Sequence, residues 1–132
     1  MAEILVVEDN PTNMKLVHMV LDKAGYRVRE ATGAEDAIRA IAASPPDLVL
    51  MDVQLPGMDG FAAMQIIKSD AMTAAIPVIA LTAFAMSGDE EKILDAGFDA
   101  YIAKPIRYAQ LLEVIDKLLP PSKPSDPVSA AE

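Results

Sequence analysis

The chain has 132 residues, no cysteine and a net charge of −9 from 20 acidic and 11 basic residues. This length suits one domain with a single core, and the lack of cysteine excludes disulfides, thiolate zinc sites and iron–sulfur clusters. The negative charge repels nucleic acid, so no nucleic-acid partner is predicted. The longest uncharged stretch, residues 71–88, is interrupted by Pro77 and falls short of the roughly 20 residues that span a bilayer. We therefore expect a cytoplasmic protein with no membrane partner.

Short apolar runs alternate with helical patterns along the chain. The runs at 4–7, 28–31, 48–51, 78–81 and 100–103 have the length of strands. Between and after them, apolar residues recur every three or four positions, which is typical of amphipathic helices. A strict alternation of strand and helix with short links predicts a parallel sheet with helices on both faces.

Residues at the predicted helix ends agree with this division. Asn10, followed by a proline, is expected to cap the first helix. The segments TGAE (32–35) and SGDE (87–90) each match a capping box. Gly25 and Gly97 lie where glycines commonly terminate helices.

The last thirteen residues differ from the rest of the chain. Residues 120–132 contain four prolines and few side chains that could pack in a core. We predict a folded domain over 1–119 and a disordered tail after it.

Chemically reactive side chains follow four of the five predicted strands. Glu8 and Asp9 follow the first, and Asp52, Thr82 and Lys104 follow the third, fourth and fifth. Because ligands bind beyond the carboxyl ends of parallel strands, we expect these groups at one edge. Crowded carboxylates repel each other, and Mg²⁺, which prefers oxygen ligands, relieves that repulsion. With a lysine and a hydroxyl to hold phosphoryl oxygens, the set predicts a phosphoryl acceptor whose nucleophile is Asp52.

Four segments of the chain resemble the receiver domain of two-component response regulators. They are VVEDN (6–10), LMDVQLPGMDG (50–60), ALTA (80–83) and YIAKP (101–105). The resemblance implies a flavodoxin-like (βα)₅ domain with a doubly wound, five-stranded parallel sheet. It also implies a signalling domain that accepts a phosphoryl group from a histidine kinase or histidine phosphotransfer protein, and not an enzyme acting on other substrates.

The resemblance assigns roles to individual residues. It implies phosphorylation of Asp52, with Thr82 and Lys104 on the phosphoryl oxygens and Tyr101 as an aromatic switch. Glu8 stands where many receivers have aspartate, so its longer side chain leaves direct metal contact or contact through a water open. The implied Mg²⁺ ligands are Glu8, Asp9, Asp52 and the backbone carbonyl of Gln54.

Two partner surfaces follow from the same resemblance. The phosphohistidine must reach Asp52, so its protein is expected to dock over the first helix, where Asn13, Met14 and Val17 lie. A downstream protein is expected on the face formed by the fourth helix, fifth strand and fifth helix.

Alternative functions remain at this point. A start at Met1, directly before the first strand, favours a stand-alone receiver, whereas VEDNPTN (7–13) also resembles receivers of hybrid histidine kinases. A phosphatase with an aspartate nucleophile is less favoured, because a DxD pattern after the first strand is absent. The nucleotide-binding motifs G-x-x-x-x-G-K-[ST] and G-x-G-x-x-G do not occur.

Overall fold

The computed structural model describes residues 2–53, 60–82, 89–103 and 106–119. Within these ranges the strands are Glu3–Val7 (β1), Arg27–Ala31 (β2), Leu48–Asp52 (β3), Val78–Thr82 (β4) and Ala100–Ala103 (β5). The helices are Pro11–Lys23 (α1), Ala34–Ala43 (α2), Gly60–Ser69 (α3), Asp89–Asp95 (α4) and Tyr108–Leu118 (α5). Each predicted strand is present, and four of them extend one residue beyond the apolar run. The predicted tail at 120–132 lies outside the described residues.

All the described strands form one parallel sheet in the order β2-β1-β3-β4-β5. The chain reverses its direction of travel across the sheet between β1 and β3, and such a switch point is where parallel α/β sheets bind ligands. Helices cover both faces, with α1 and α5 over one core and α2, α3 and α4 over the other. Every residue of β3 and β4 is buried, as expected for strands covered on both faces. The predicted flavodoxin-like (βα)₅ architecture is confirmed.

The helix starts follow the sequence prediction at one helix and contradict it at another. Asn10 caps α1, since its side-chain oxygen accepts hydrogen bonds from the backbone amides of Thr12 and Asn13, at 2.9 and 3.1 Å. The capping box predicted at 32–35 is wrong. Gly33 is the N-cap of α2, so the Thr32 side chain is one residue too early and instead donates to Asp36 at 3.3 Å. The box predicted at 87–90 lies partly outside the described residues.

The two predicted terminating glycines are confirmed. Gly25 and Gly97 have φ values of 96° and 107°, in the left-handed region that glycine adopts without a steric penalty. The backbone amide that follows each glycine donates to a carbonyl in the last turn of the helix. Tyr26 donates to Leu21 at 3.1 Å, and Phe98 donates to Ile93 at 3.3 Å. Both helices therefore end in the same hydrogen-bonded motif.

Among the described residues, none of the helices is both long and apolar enough to cross a bilayer.

Replacing the two glycines by alanine should have unequal effects. A Cβ at Gly25 meets nothing within 4 Å, whereas a Cβ at Gly97 lies 3.3 Å from Lys68 Cγ. The Lys68 side chain cannot easily retreat, because its Nζ donates to the carbonyls of Ala74 and Ile76 at 2.9 and 3.2 Å. We expect Gly25→Ala to lower the free energy of unfolding by about 1–2 kcal/mol through backbone strain alone, and Gly97→Ala to lower it further. Urea unfolding of both variants measures the difference, and equal losses would show that Lys68 moves aside freely.

Candidate functional site

Three carboxylates meet at the carboxyl edge of the two central strands. Asp52 is the last residue of β3, and Glu8 and Asp9 directly follow β1. Each offers one carboxylate oxygen, and these atoms all lie within 4.8 Å of one another. Glu8 and Asp52 are only 1% and 5% exposed, while Asp9 is exposed. The acidic residues that the sequence analysis expected at this edge therefore do lie together, and we call them the acidic cluster.

Strand pairing accounts for this proximity. The last matched pair of β1 and β3 is Val7 with Met51, so Glu8 and Asp52 occupy the next step on adjacent strands. The Glu8 amide also donates to the Ala31 carbonyl at 3.0 Å, which continues the pairing with β2 past the end of β1. The backbone thus holds the acidic residues side by side, although 44 residues separate Glu8 from Asp52 along the chain.

The acidic cluster has the chemistry of a site for a hard divalent cation. Mg²⁺ takes oxygen ligands, needs only one or two carboxylates and keeps waters for the remaining positions. Without a cation, two buried negative charges and a third beside them repel each other. One oxygen of Glu8, Oε2, accepts a hydrogen bond from the Asn10 amide at 3.2 Å, so the longer side chain folds back over its own turn. Two other predicted site residues, Gln54 and Lys104, lie outside the described residues.

Thr82 and Tyr101 are neighbours on one face of the sheet. Leu81 of β4 pairs with Asp52, and the buried Thr82 lies one step further on the same strand. Tyr101 of β5 pairs with Ala80 and packs against the core under α2, α3 and α4. Since side chains alternate along a strand, Ala80 and Thr82 point to the same side, which is also the side of Tyr101. This placement suits the role of aromatic switch that the resemblance to receivers implies for Tyr101.

The outer surface of α1 differs from the sequence prediction. Some of Asn13, Met14 and Val17 were expected to contact a partner, but Met14 and Val17 are buried under the helix at 6% and 1% exposure, which leaves Asn13 of the three for that contact. The exposed apolar side chains of α1 are Leu16 and Met19, at 44% and 51%. Helical periodicity already contained this signal, because Met14 and Val17 share the core-facing stripe and Leu16 and Met19 lie off it. Asn13 is half-buried at the edge of this surface.

A cavity of about 520 Å³ adjoins the acidic cluster between α1 and β2. His18, the only histidine of the chain, joins these two elements there, with its Nδ1 2.6 Å from Oε2 of Glu30. The acidic cluster is therefore accessible from the α1 side of the sheet. The lining residues are Glu8, Asp9, Pro11, Met14, Lys15, His18, Met19, Glu30 and Thr32.

Comparison with known proteins decides the family. The family model described as the response regulator receiver domain matches residues 4–116. The chain belongs to this family. Among its relatives is the polar-differentiation response regulator DivK of Brucella ovis, which is 41% identical over 116 residues. That match covers 88% of this chain and 94% of DivK.

Solved receiver structures share the fold. The receiver domain of the sensor histidine kinase PA1611 from Pseudomonas aeruginosa is 38% identical, with a TM-score of 0.83 over 89% of this chain and 96% of that one. It is described with a magnesium ion coordinated in the active site cleft. The chemotaxis response regulator CheY4 of Vibrio cholerae is 24% identical, with a TM-score of 0.85. That match covers 90% of this chain and 99% of the CheY4 chain. The receiver therefore has the CheY-like form of the flavodoxin-like fold.

Removing one charge from the acidic cluster should stabilise the metal-free receiver. Asp52→Asn keeps the shape of the side chain and abolishes its repulsion with Glu8 and Asp9, which lie within 4.8 Å. We expect the free energy of unfolding in chelator to rise by about 1–3 kcal/mol, the Coulomb energy of one such pair at intermediate dielectric. Glu113→Gln on the exposed side of α5 is the matched control and should change little. Urea unfolding measures both, and an unchanged or less stable Asp52→Asn would mean that repulsion does not limit the stability of this site.

Proposed function

We propose that this receiver accepts a phosphoryl group on Asp52 from the phosphohistidine of a histidine kinase or histidine phosphotransfer protein, with Mg²⁺ at the acidic cluster. The observation that carries the proposal is the set of three carboxylates within 4.8 Å at the ends of β1 and β3. A buried, fixed carboxylate beside a cation site is suited to in-line attack on phosphorus. Membership of the receiver family favours this function over that of a phosphatase with an aspartate nucleophile.

The proposed transfer gives each residue of the site a separate role. A carboxylate oxygen of Asp52 bonds to phosphorus as the phosphorus–nitrogen bond of the phosphohistidine breaks, and the imidazole leaves with that electron pair. Thr82 donates its hydroxyl to a phosphoryl oxygen, and Lys104 contributes a positive charge. Glu8 and Asp9 would hold Mg²⁺ together with Asp52, and the cation would supply positive charge next to the phosphoryl oxygens.

The proposed output is a change of surface next to β5. When the Thr82 hydroxyl turns to the phosphoryl group, space opens on the side of the sheet where Tyr101 packs, and the ring moves inward. A downstream protein that binds the face of α4, β5 and α5 better in this state shifts the receiver towards it. On α4 this face is next to an exposed apolar side chain, Leu94.

The comparisons support a stand-alone regulator, and one observation favours a second possibility. This chain covers 94% of DivK, which is itself called a response regulator, and a stand-alone receiver would act in the cytoplasm. The likeness to the receiver of the kinase PA1611 instead favours a segment of a hybrid histidine kinase. An antibody against this domain distinguishes the two in an extract of the source cells, since a band near 14.1 kDa supports the first and a much larger one the second.

Phosphorylation by a small phosphodonor tests the function directly. With acetyl phosphate and Mg²⁺, we expect one phosphoryl group per wild-type chain in the intact mass, and none for Asp52→Asn, which lacks the nucleophilic charge. Asp9→Ala or excess chelator should abolish the reaction, because each removes the cation from the site. Phosphorylation at full rate in chelator would refute the role of the metal, and steady hydrolysis of added phosphomonoesters would indicate a phosphatase.

Docking of the phosphodonor protein should depend on the exposed side chains of α1. The helix starts directly after Asn10, so Leu16 and Met19 lie roughly 8–12 Å along it from its first residue, Pro11, at 1.5 Å per residue. We expect Leu16→Ala and Met19→Ser to slow phosphotransfer from the partner protein about tenfold and to leave phosphorylation by acetyl phosphate unchanged. Rapid-quench assays with both donors measure this split.

A matched control uses Met72, another strongly exposed methionine among the described residues. Met72, 79% exposed after α3, lies in the segment that leads into the opposite end of β4, so Met72→Ser should not slow transfer from either donor. Met14→Ala removes a buried side chain and should instead destabilise the fold by about 2–5 kcal/mol. Equal slowing by both donors in Met19→Ser would place its effect in the site and not in docking.

A further inference from the structure

The turn between β1 and α1 is held together by Asn10. Its amide donates to Glu8 Oε2 at 3.2 Å, and its side-chain Oδ1 accepts from the amides of Thr12 at 2.9 Å and Asn13 at 3.1 Å. Its carbonyl accepts the first bond of the helix, from Met14 at 2.9 Å. One residue therefore connects a carboxylate of the acidic cluster to the first turn of α1.

Asp9 depends on this arrangement more than its neighbours do. Among the described residues, no hydrogen bond or ion pair engages the Asp9 carboxylate, so its position is set by the backbone on either side. On one side Glu8 is bonded to the end of β2 through Ala31. On the other side Asn10 is bonded to α1, which is anchored in the core by its buried face.

Repulsion within the acidic cluster acts against this position. Asp9 is the exposed member of three carboxylates whose oxygens lie within 4.8 Å, so it can separate from the others by moving towards solvent. Asn10 has an extended backbone, with φ −84° and ψ 116°, which is what a following proline requires. Pro11 therefore sets the direction of the turn, and the Asn10 side chain adds two bonds to the helix beside the backbone bond from the Met14 amide to the Asn10 carbonyl.

We propose that Asn10 is a positioning residue for the metal: its cap on α1 keeps Asp9 beside Asp52 before Mg²⁺ arrives. This inference rests on the proposed function. A turn that is already ordered loses less entropy when the cation binds, so the affinity for Mg²⁺ rises.

Titration with Mg²⁺ alone, followed by backbone amide NMR shifts, tests this role. Asn10→Ala removes the side-chain oxygen, and we expect the dissociation constant for Mg²⁺ to rise about two- to fivefold, in line with the typical strength of an N-cap. Asn10→Ser supplies another good capping oxygen and should restore wild-type affinity. With saturating Mg²⁺, the phosphorylation rate of Asn10→Ala from acetyl phosphate should return to within about twofold of wild type, since Asn10 contacts no reacting atom.

Two further variants separate positioning from general stability. Asp70→Ala removes a similar contact, from the carboxylate to the Met72 amide at 2.9 Å, beyond the far end of α3, and should leave Mg²⁺ affinity unchanged. Asn10→Gly is well tolerated at helix N-caps but lacks the side-chain oxygen, so it carries the test if Asn10→Ala does not fold, and it too should bind Mg²⁺ more weakly. Wild-type affinity in Asn10→Ala or Asn10→Gly, or an equal loss in Asp70→Ala, overturns the inference about Asn10 alone. A wild-type receiver that binds no Mg²⁺ overturns the proposed function and this inference with it.

Discussion

The arrangement of this receiver's site depends on the mutual repulsion of three carboxylates at the ends of β1 and β3. Two of the charges are almost completely buried, so they cannot be screened well by water or salt. The strands that carry them are held by apolar packing on both faces, and Leu48 to Met51 are fully buried directly before Asp52. Hydrophobic burial along these strands is large compared with the repulsion at their ends, and the charges therefore stay in place.

The same arrangement makes the site responsive. A carboxylate cluster that is unfavourable when empty gains more from a cation, and a phosphoryl group adds a further ligand to that cation. The Asn10 turn then acts as a local restraint, because it opposes the one movement by which Asp9 could relieve the repulsion. The relief of this repulsion therefore contributes to the free energy of cation binding at this edge.

The two faces of the sheet divide the proposed roles. The acidic cluster is open beside α1, which packs with α5 on one face. Thr82 and Tyr101 lie towards the other face, under α2, α3 and α4. On the proposed function, a phosphoryl group at the shared edge would contact both sides, so that an input received next to α1 would change the surface around β5. Because β5 is an edge strand of the sheet, the surface next to it can be reached by a partner protein.

Much of this architecture was predictable from local pattern alone. The five apolar runs, the Asn10 cap and the terminating glycines Gly25 and Gly97 all follow from properties of a few adjacent residues, and the structure contains each of them. The failed capping box at 32–35 shows the limit of that reasoning, because a shift of one residue in the helix start moved the N-cap from Thr32 to Gly33. Helix boundaries are decided by competition between nearby backbone conformations, which a motif does not resolve.

The sequence by itself determined which residues carry the chemistry and that a parallel sheet would bring them to one edge. Only the tertiary structure decided which of them touch. Glu8 and Asp52 are adjacent because β1 and β3 are paired in a particular register, and that pairing is a long-range interaction without a local signature. Helical periodicity places Met14 and Val17 on the apolar stripe of α1, but only the tertiary structure decided how completely that stripe is buried, at 6% and 1% exposure. The extent of that burial depends on the surface against which the helix packs, and that surface is built by strands distant in sequence.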